Sequence, residues 1–358
     1  MAGLYLRPTG FIDAPFGFDG QAARLAGGLT WFSAVEVIVA EGGDRRSTAL
    51  VPVERLEAWL AALPAPLAED GRATYARLTA PRPPLMLGAR RIPLDQPQAM
   101  AILNVTPDSF SDGGTHSADP VGDGIDMAAA GAAILDVGGE STRPGAPTVW
   151  EGDEIARVLP VVEGLVRGGA AVSIDTRKAA VMEAALAAGA HLVNDVSALG
   201  WDDRAAAVVA EAGCPVVLMH SGAPAAKGGD PVIGVYDWLA ARIAFAEAAG
   251  IARARIIVDP GLGGGSFGKS VADNLALLNG LSLLHGLGCP ILLGASRKTF
   301  LGALAGEAPP AERLGGSIAA ALAGAAQGVQ LFRVHDVRDT VQALRIWRGA
   351  RDRALTPG

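Results

Sequence analysis

Ala132-Ala-Ile-Leu-Asp-Val-Gly-Gly-Glu140, Ala171-Val-Ser-Ile-Asp-Thr176 and His191-Leu-Val-Asn-Asp-Val196 are short apolar runs, each closing on a carboxylate or an amide. Five more short apolar runs lead into polar residues: Met100–Val105, Pro215–Met219, Arg255–Val258, Pro290–Leu293 and Val329–Val334. Ala-rich amphipathic stretches separate them. Runs that are apolar throughout suit strands buried on both faces, and alternation with helices predicts a parallel sheet. Eight such units over about 250 residues predict an α/β fold of the (β/α)₈ TIM-barrel type. A doubly wound open sheet is the alternative, and the number of units favours closure.

The rest of the 358-residue chain fits around that barrel. Residues 1–83 carry strand-like pieces (Leu29–Ala40, Ser47–Val53) and a helical piece (Val53–Leu63), then the link Ala80-Pro-Arg-Pro-Pro84. Dense proline favours extended chain. The division predicted is a small α+β N-terminal extension over 1–83, of no evident chemistry, and a catalytic barrel over 84–358. The barrel would open with a short hairpin, Leu85–Leu94.

Composition narrows the function. Half the residues are hydrophobic, which excludes a disordered chain. A net charge of −7 argues against nucleic acid and anionic membranes as general partners. No apolar run is long enough for a membrane span, and Met1–Pro15 shows no signal-peptide pattern, so the expectation is cytoplasmic. Cys214 and Cys289 read as buried small residues of a reduced compartment, with one disulfide between them the weaker alternative.

The run ends decide the chemistry. They are Asn104, Asp136 to Glu140, Asp175, Asn194-Asp195, His220, Asp259, Ser296 and Arg333-Val-His-Asp336. Barrel active sites sit at the C-terminal ends of the strands. Helix caps and turns account for one or two such residues; polar groups after all eight strands argue for a site. Asn104 opens a long polar segment ending at Gly114 that suits a lid, and its amide can ligate a metal or a phosphate oxygen. Gly138 and Gly139 admit close backbone approach, and Arg143 presents a forked donor to an anion. Asp175, Asn194 and Asp259 suit a ligand rich in N–H groups. In Ser296-Arg-Lys-Thr299, helix-start amides with the Thr299 hydroxyl suit a carboxylate or phosphate. Arg333 and His335, two apart, share a face and suit an anion. His116, His191 and His285 read as surface or packing residues, and His220 as a rim residue of uncertain use. No zinc spacing or nucleotide P-loop is evident.

Together these segments resemble the dihydropteroate synthase family of pterin-binding barrels. Ile102-Leu-Asn-Val-Thr-Pro-Asp-Ser-Phe-Ser-Asp-Gly-Gly114 and Asp136-Val-Gly-Gly-Glu-Ser-Thr-Arg-Pro-Gly145 look like its two long signatures. Asp175-Thr, Asn194-Asp, Asp259-Pro-Gly, Ser296-Arg-Lys and Arg333-Val-His-Asp match in order. The resemblance covers about residues 85–350. It implies a transferase of folate biosynthesis that joins 4-aminobenzoate to 6-hydroxymethyl-7,8-dihydropterin diphosphate, with Mg²⁺. It also implies a homodimer through late barrel helices. By position, Asp175, Asn194, Asp259 and Lys298 would hold the pterin. Asn104, Thr142, Arg143, Arg333 and His335 would hold the diphosphate, Asn104 also contacting the metal. Thr142, Pro144, Phe267, Lys298 and Thr299 would shape the aminobenzoate site. The catalytic set would be Asp175, Lys298, Arg333 and His335, with Asp175 stabilising the developing cation.

One departure stands out. The family pattern after strand six is Asp-Pro-Gly-x-Gly-Phe-Gly-Lys, and this chain has Gly264, Gly265 and Ser266 in addition. The insertion leaves the place of Phe267 open, and the expected effect is weaker aminobenzoate binding. Two alternatives follow. One is a non-catalytic or altered-specificity pterin-binding paralogue. The other is a methyltransferase pterin-binding domain, which would not need the Ser296–Thr299 and Arg333–His335 anion sites.

Overall fold

The computed structural model describes residues 2–105, 119–140, 148–225 and 229–356. The extension begins with strands β1 (Ala2–Ile12), β2 (Ala23–Arg24), β3 (Trp31–Glu41) and β4 (Asp44–Pro52), followed by helices α1 (Leu56–Ala61) and α2 (Ala65–Thr79). β3 is central, with β1 on one side and β2 and β4 on the other, all antiparallel. β1 and α2 were not anticipated. α2 starts after Pro64 and carries Gly71, where a Cβ would crowd Leu60 and Leu4, so its spacing is a packing requirement rather than a helix signal.

Alternation along the strands explains how the extension docks. Leu4, Leu6, Val35 and Val37 pack with Leu56, Leu60 and Leu78 of its own helices, whereas Tyr5, Ile38 and Ala40 join the core between barrel strands and helices. β1 and β3 are therefore covered on both faces, while most of β4 stays exposed. Tyr5 Oη donates to Asp237, Ser282 Oγ to the Pro8 carbonyl at 2.9 Å, and Arg82 Nη2 to the His285 carbonyl at 3.0 Å.

A hairpin follows, β5 (Leu85–Leu87) and β6 (Arg90–Ile92), turning at Gly88. Then strand and helix alternate: β7 (Gln98–Asn104), α3 (Pro120–Ala129), β8 (Ile134–Gly138), α4 (Glu151–Arg167), β9 (Val172–Asp175), α5 (Ala179–Ala187), β10 (Leu192–Asp195) and α6 (Ala205–Ala212). The second half runs β11 (Val216–Met219), α7 (Pro231–Ala248), β12 (Ile256–Asp259), α8 (Val271–Asn279), β13 (Leu292–Leu293), α9 (Thr299–Leu304), α10 (Leu314–Ala326), β14 (Leu331–Val334) and α11 (Val337–Leu355). The eight strands pair in parallel in the order β12-β11-β10-β9-β8-β7-β14-β13. A parallel bridge between Val258 and Ile291 joins the two ends, and the sheet becomes the expected barrel.

Side-chain alternation then layers the lumen. Met100, Ile134, Ala171, Leu192, Val217, Ile257, Leu292 and Leu331 form one apolar cluster with Leu85, Leu87, Ile92 and Leu94. Each barrel strand or its immediate start contributes one residue, and the hairpin plugs the bottom. Counting in twos from that layer toward the strand ends reaches Asn104, Asp136, Asp175, Asn194, Asp259, Arg333 and His335. The barrel is dry below and charged above. His191 packs against the plug, its Nε2 beside Gly88, while Nδ1 accepts the Val172 N–H at 3.1 Å. Cys289 is buried, Cys214 is partly so, and both are free.

Candidate active site

The top layer holds three carboxylates and two cations. Arg333 donates from Nε to Asp136 Oδ2 at 2.6 Å and from Nη2 to Asp175 Oδ2 at 2.5 Å. Asn194 Nδ2 donates to the same Asp136 oxygen at 2.9 Å, which orients its amide. Asp259 accepts the Gly261 N–H at 2.7 Å. Among the described residues, Asp136 Oδ1, Asp175 Oδ1 and Ser173 Oγ are buried without a hydrogen-bond partner. Burying unpartnered acceptors is costly, so a lumen built this way awaits donors.

Burial pushes Asp175 up to about 7, opposed by Arg333 and reinforced by Asp136. Burial and its position between two carboxylates act in opposite directions on Arg333, and the carboxylates hold its proton more firmly than usual. Lys298 is brought down to about 8 by burial and by Arg333, while Asp259 and Asp175 work to keep it charged. Burial, with the Arg333 and Arg297 charges, takes His335 to about 3. His335 is thus a neutral imidazole at physiological pH. Its backbone N–H donates to Ser296 Oγ at 3.2 Å, and Nδ1 lies 3.1 Å from the same hydroxyl. In the tautomer where Nδ1 accepts from the Ser296 hydroxyl, the ring proton sits on Nε2. His335 therefore offers a neutral N–H donor to an anion, and the positive charge of the site comes from Arg333 and Lys298.

Other predicted residues fall around this centre. Asn104 and Asp175 flank Gly138: a Cβ there would lie 3.6 Å from both Asn104 Oδ1 and Asp175 Oδ2. Phe267 lies beside Lys298, whose Nζ is 4.0 Å from the ring centre, so the insertion leaves it at the site. Two of the extra residues, Gly265 and Ser266, form a single 3₁₀ turn with Phe267, and Gly264 before it faces the Thr299 hydroxyl. Thr299 opens the six-residue α9 and is exposed. Thr142, Arg143, Pro144, His116 and the expected lid Thr106–Gly114 lie outside the described residues.

Asp136 is the residue of this charged layer that sequence reading left without a role. Its signal was present: it stands two residues beyond Ile134 of the plug layer, as Asp175 stands two beyond Ser173. The neighbouring Asp195 faces away and accepts the Ser197 and Leu199 N–H groups. His220 also turns to structure. Its Nδ1 is 2.9 Å from Lys269 Nζ, and burial with that charge lowers it to about 3. Gly261 explains this tight corner: at φ +64°, a Cβ would collide with the His220 carbonyl.

A second buried cluster lies where the segment 141–147 begins and ends. Lys178 Nζ donates to Glu140 Oε2 at 3.1 Å, Glu154 Oε2 at 2.5 Å and the Val149 carbonyl at 2.7 Å. Glu140 also accepts the Val149 N–H at 3.1 Å and pairs with Arg177 at 3.3 Å. Arg177 in turn stacks on Trp201, 3.7 Å from the ring centre.

A (β/α)₈ barrel with a buried charged layer at the C-terminal ends of its strands has the layout of a barrel enzyme, and the comparisons with known proteins assign it to the pterin-binding class. The model of the family "Pterin binding enzyme" matches residues 100–335. The dihydropteroate synthase of Escherichia coli (strain K12) is 45% identical over 262 residues, covering 71% of this chain and 91% of that protein. The one from Neisseria meningitidis serogroup B is 45% identical over 271 residues, covering 73% and 95%. A solved structure of Xanthomonas albilineans dihydropteroate synthase with 4-aminobenzoic acid is 48% identical, with a TM-score of 0.71, and covers 75% of this chain and 98% of that one. The chain belongs to the pterin binding enzymes and, within them, to the dihydropteroate synthases. Among the described residues, no helix is long and apolar enough to cross a membrane.

Proposed function

We propose that this chain condenses 6-hydroxymethyl-7,8-dihydropterin diphosphate with 4-aminobenzoate, giving 7,8-dihydropteroate and diphosphate in folate biosynthesis. The observation that carries it is the pair of buried acceptors with no partner among the described residues, Asp136 Oδ1 and Asp175 Oδ1, beside an oriented Asn194 amide. A pterin ring supplies N–H donors of the kind these groups lack. The Xanthomonas enzyme, solved with 7,8-dihydropteroate, is 46% identical and supports the same product here.

The chemistry follows from charge. The bond between the methylene carbon and the diphosphate oxygen weakens, and positive charge develops on the electron-rich ring. Asp175 faces that charge. Arg333, Lys298 and the neutral His335 N–H face the leaving diphosphate, with Thr142 and Arg143 assisting. Fixed charges in a dry site supply the stabilisation without rearranging. The arylamine lone pair then closes the C–N bond, and its proton leaves with the diphosphate or solvent. No strong base is needed. Phe267 against Lys298 forms the wall for the aminobenzoate ring, with Thr299 next to it.

Mg²⁺ fits this site as an ion carried in on the diphosphate. It takes hard oxygen ligands and commonly keeps only one or two from protein, the rest from phosphate and water. Asn104 Oδ1, close to Asp175 across Gly138, meets that need. When bound, the ion would neutralise charge developing on the leaving group. A homodimer through late barrel helices is part of the reading. It is supported by α10, Leu314–Ala326, which has no charged residue yet exposes Gly315 and Ala319. Cytoplasmic placement is supported by the two free cysteines.

The test is diphosphate release by the full-length chain given both substrates and Mg²⁺, with a control lacking aminobenzoate and an Asp175→Asn variant. Release that requires aminobenzoate and falls about 10²–10³-fold in the variant is expected. Binding of pterin diphosphate without turnover would instead favour the non-catalytic paralogue.

A further inference from the structure

The family model starts at residue 100, and the Xanthomonas enzyme is matched over 98% of its length by 75% of this chain. The N-terminal extension therefore has to be explained from this chain alone. Its longest hairpin, β3–β4, ends in Gly42-Gly43, both at positive φ, in the two-residue turn that suits paired strands. The tip reaches the barrel at the end where the active site opens. The Gly43 carbonyl accepts the Asp230 N–H at 3.2 Å, and Arg45 pairs with the Asp230 carboxylate. Arg45 also bonds Glu36 at 3.0 Å, and Glu36 bonds Arg7 at 3.0 Å. Arg7 donates to the Asn279 carbonyl at 2.8 Å, at the far end of α8.

Asp230 is the cap of α7. Its Oδ1 accepts the Val232 and Ile233 N–H groups at 2.8 and 3.1 Å. The first turn of α7 packs backbone to backbone on the loop after β11. A Cβ at Gly234 would strike the Pro224 carbonyl. That loop in turn rests on the strand-six loop: a Cβ at Gly268 would lie 2.5 Å from the Gly222 carbonyl carbon. Next to Gly268 is Phe267, on Lys298. Contacts this close transmit displacement because no flexible side chain intervenes to absorb it.

We propose that the N-terminal extension is a positioning element for the aminobenzoate half of the site, with Arg45 as its principal residue. Through Asp230 and the first turn of α7, the hairpin tip holds the loop on which Phe267's loop rests. This inference depends on the reading that Phe267 lines the aminobenzoate site. It makes Arg45 a positioning residue, remote from the reacting atoms.

The experiment uses the full-length chain, with Arg45→Ala, Arg45→Lys and a control, Arg72→Ala. The control breaks an exposed pair with Glu57 inside the extension. A partly exposed ion pair is worth little, so the expected change is small and specific. Arg45→Ala should raise the KM for 4-aminobenzoate roughly two- to five-fold. Its kcat and its KM for pterin diphosphate should stay at wild-type values, Arg45→Lys should recover part of the effect, and Arg72→Ala should change nothing. Hydrogen exchange should quicken at 221–225 and 261–269 in Arg45→Ala. Unchanged KM and exchange would overturn the proposal, as would equal effects on both substrates or the same effects in Arg72→Ala. No condensation by the wild-type chain would overturn the synthase reading instead; exchange would still decide whether Arg45 holds the two loops.

Discussion

Replacing Lys178 by Met tests whether the buried cluster behind the site holds the barrel together. Lys178 Nζ meets three acceptors, and two of them, Glu140 and Glu154, are carboxylates with side chains 5% and 0% exposed. Burial acts to raise Glu140, yet the Val149 N–H, Lys178 and Arg177 outweigh it and keep that carboxyl below its ordinary value. Glu154 already has one oxygen without a partner among the described residues. Methionine fills the space of the lysine stem but leaves Glu154 buried without an ion-pair partner among the described residues. Breaking a buried pair in this way costs about 3–5 kcal/mol, a large share of a typical stability of about 5–15 kcal/mol. Urea titration read by circular dichroism would show the midpoint shift. The double variant Lys178→Met/Glu154→Met removes the stranded charge as well, and should recover most of the loss because apolar replacements of buried pairs are often neutral. A single variant losing less than about 1 kcal/mol, or a double variant losing the sum of the two singles, would refute the reasoning.

Three further outcomes follow from the geometry. Because Asp175 is raised to about 7 and must be ionised to face the developing cation, turnover should rise as pH increases through about 7; a flat profile from pH 5.5 to 8.5, with chemistry limiting, would contradict the role. Burial and the Arg82 charge lower His285 to about 3, so between about 6.5 and 3 the unfolded chain binds a proton that the folded one does not. Its stabilising contribution is therefore full above about 6.5 and is lost progressively as pH falls, and His285→Asn should flatten acid unfolding followed by fluorescence between pH 6 and 4. Deleting Gly264–Ser266 should lower the aminobenzoate KM if the insertion loosens the loop; an unchanged KM would mean that Phe267 is held equally well with it.

Much of the barrel was legible because its information is local. Each strand is a buried apolar run, and each polar residue that closes it is adjacent in sequence, so the eight units and most of their rim could be read without knowing which strands pair. The extension was less legible. β1 was missed because Ala2–Ile12 pairs with residues some thirty positions away and packs on both faces, which erases the alternation of a half-exposed strand. α2 was missed because a glycine inside it serves a close contact with Leu4.

The sequence by itself determined the period-two count that sends Asn104, Asp175, Asn194, Asp259, Arg333 and His335 toward one end of the lumen. Only the tertiary structure decided which of them share a charge. Arg333 meets Asp136 from 197 positions away, Phe267 stays on Lys298 despite three inserted residues, and Arg45 of the N-terminal hairpin reaches Asp230 at the start of α7. Alternation is set by the covalent chain, one residue to the next. Ion pairing and burial depend on distances that exist only once the sheet has closed.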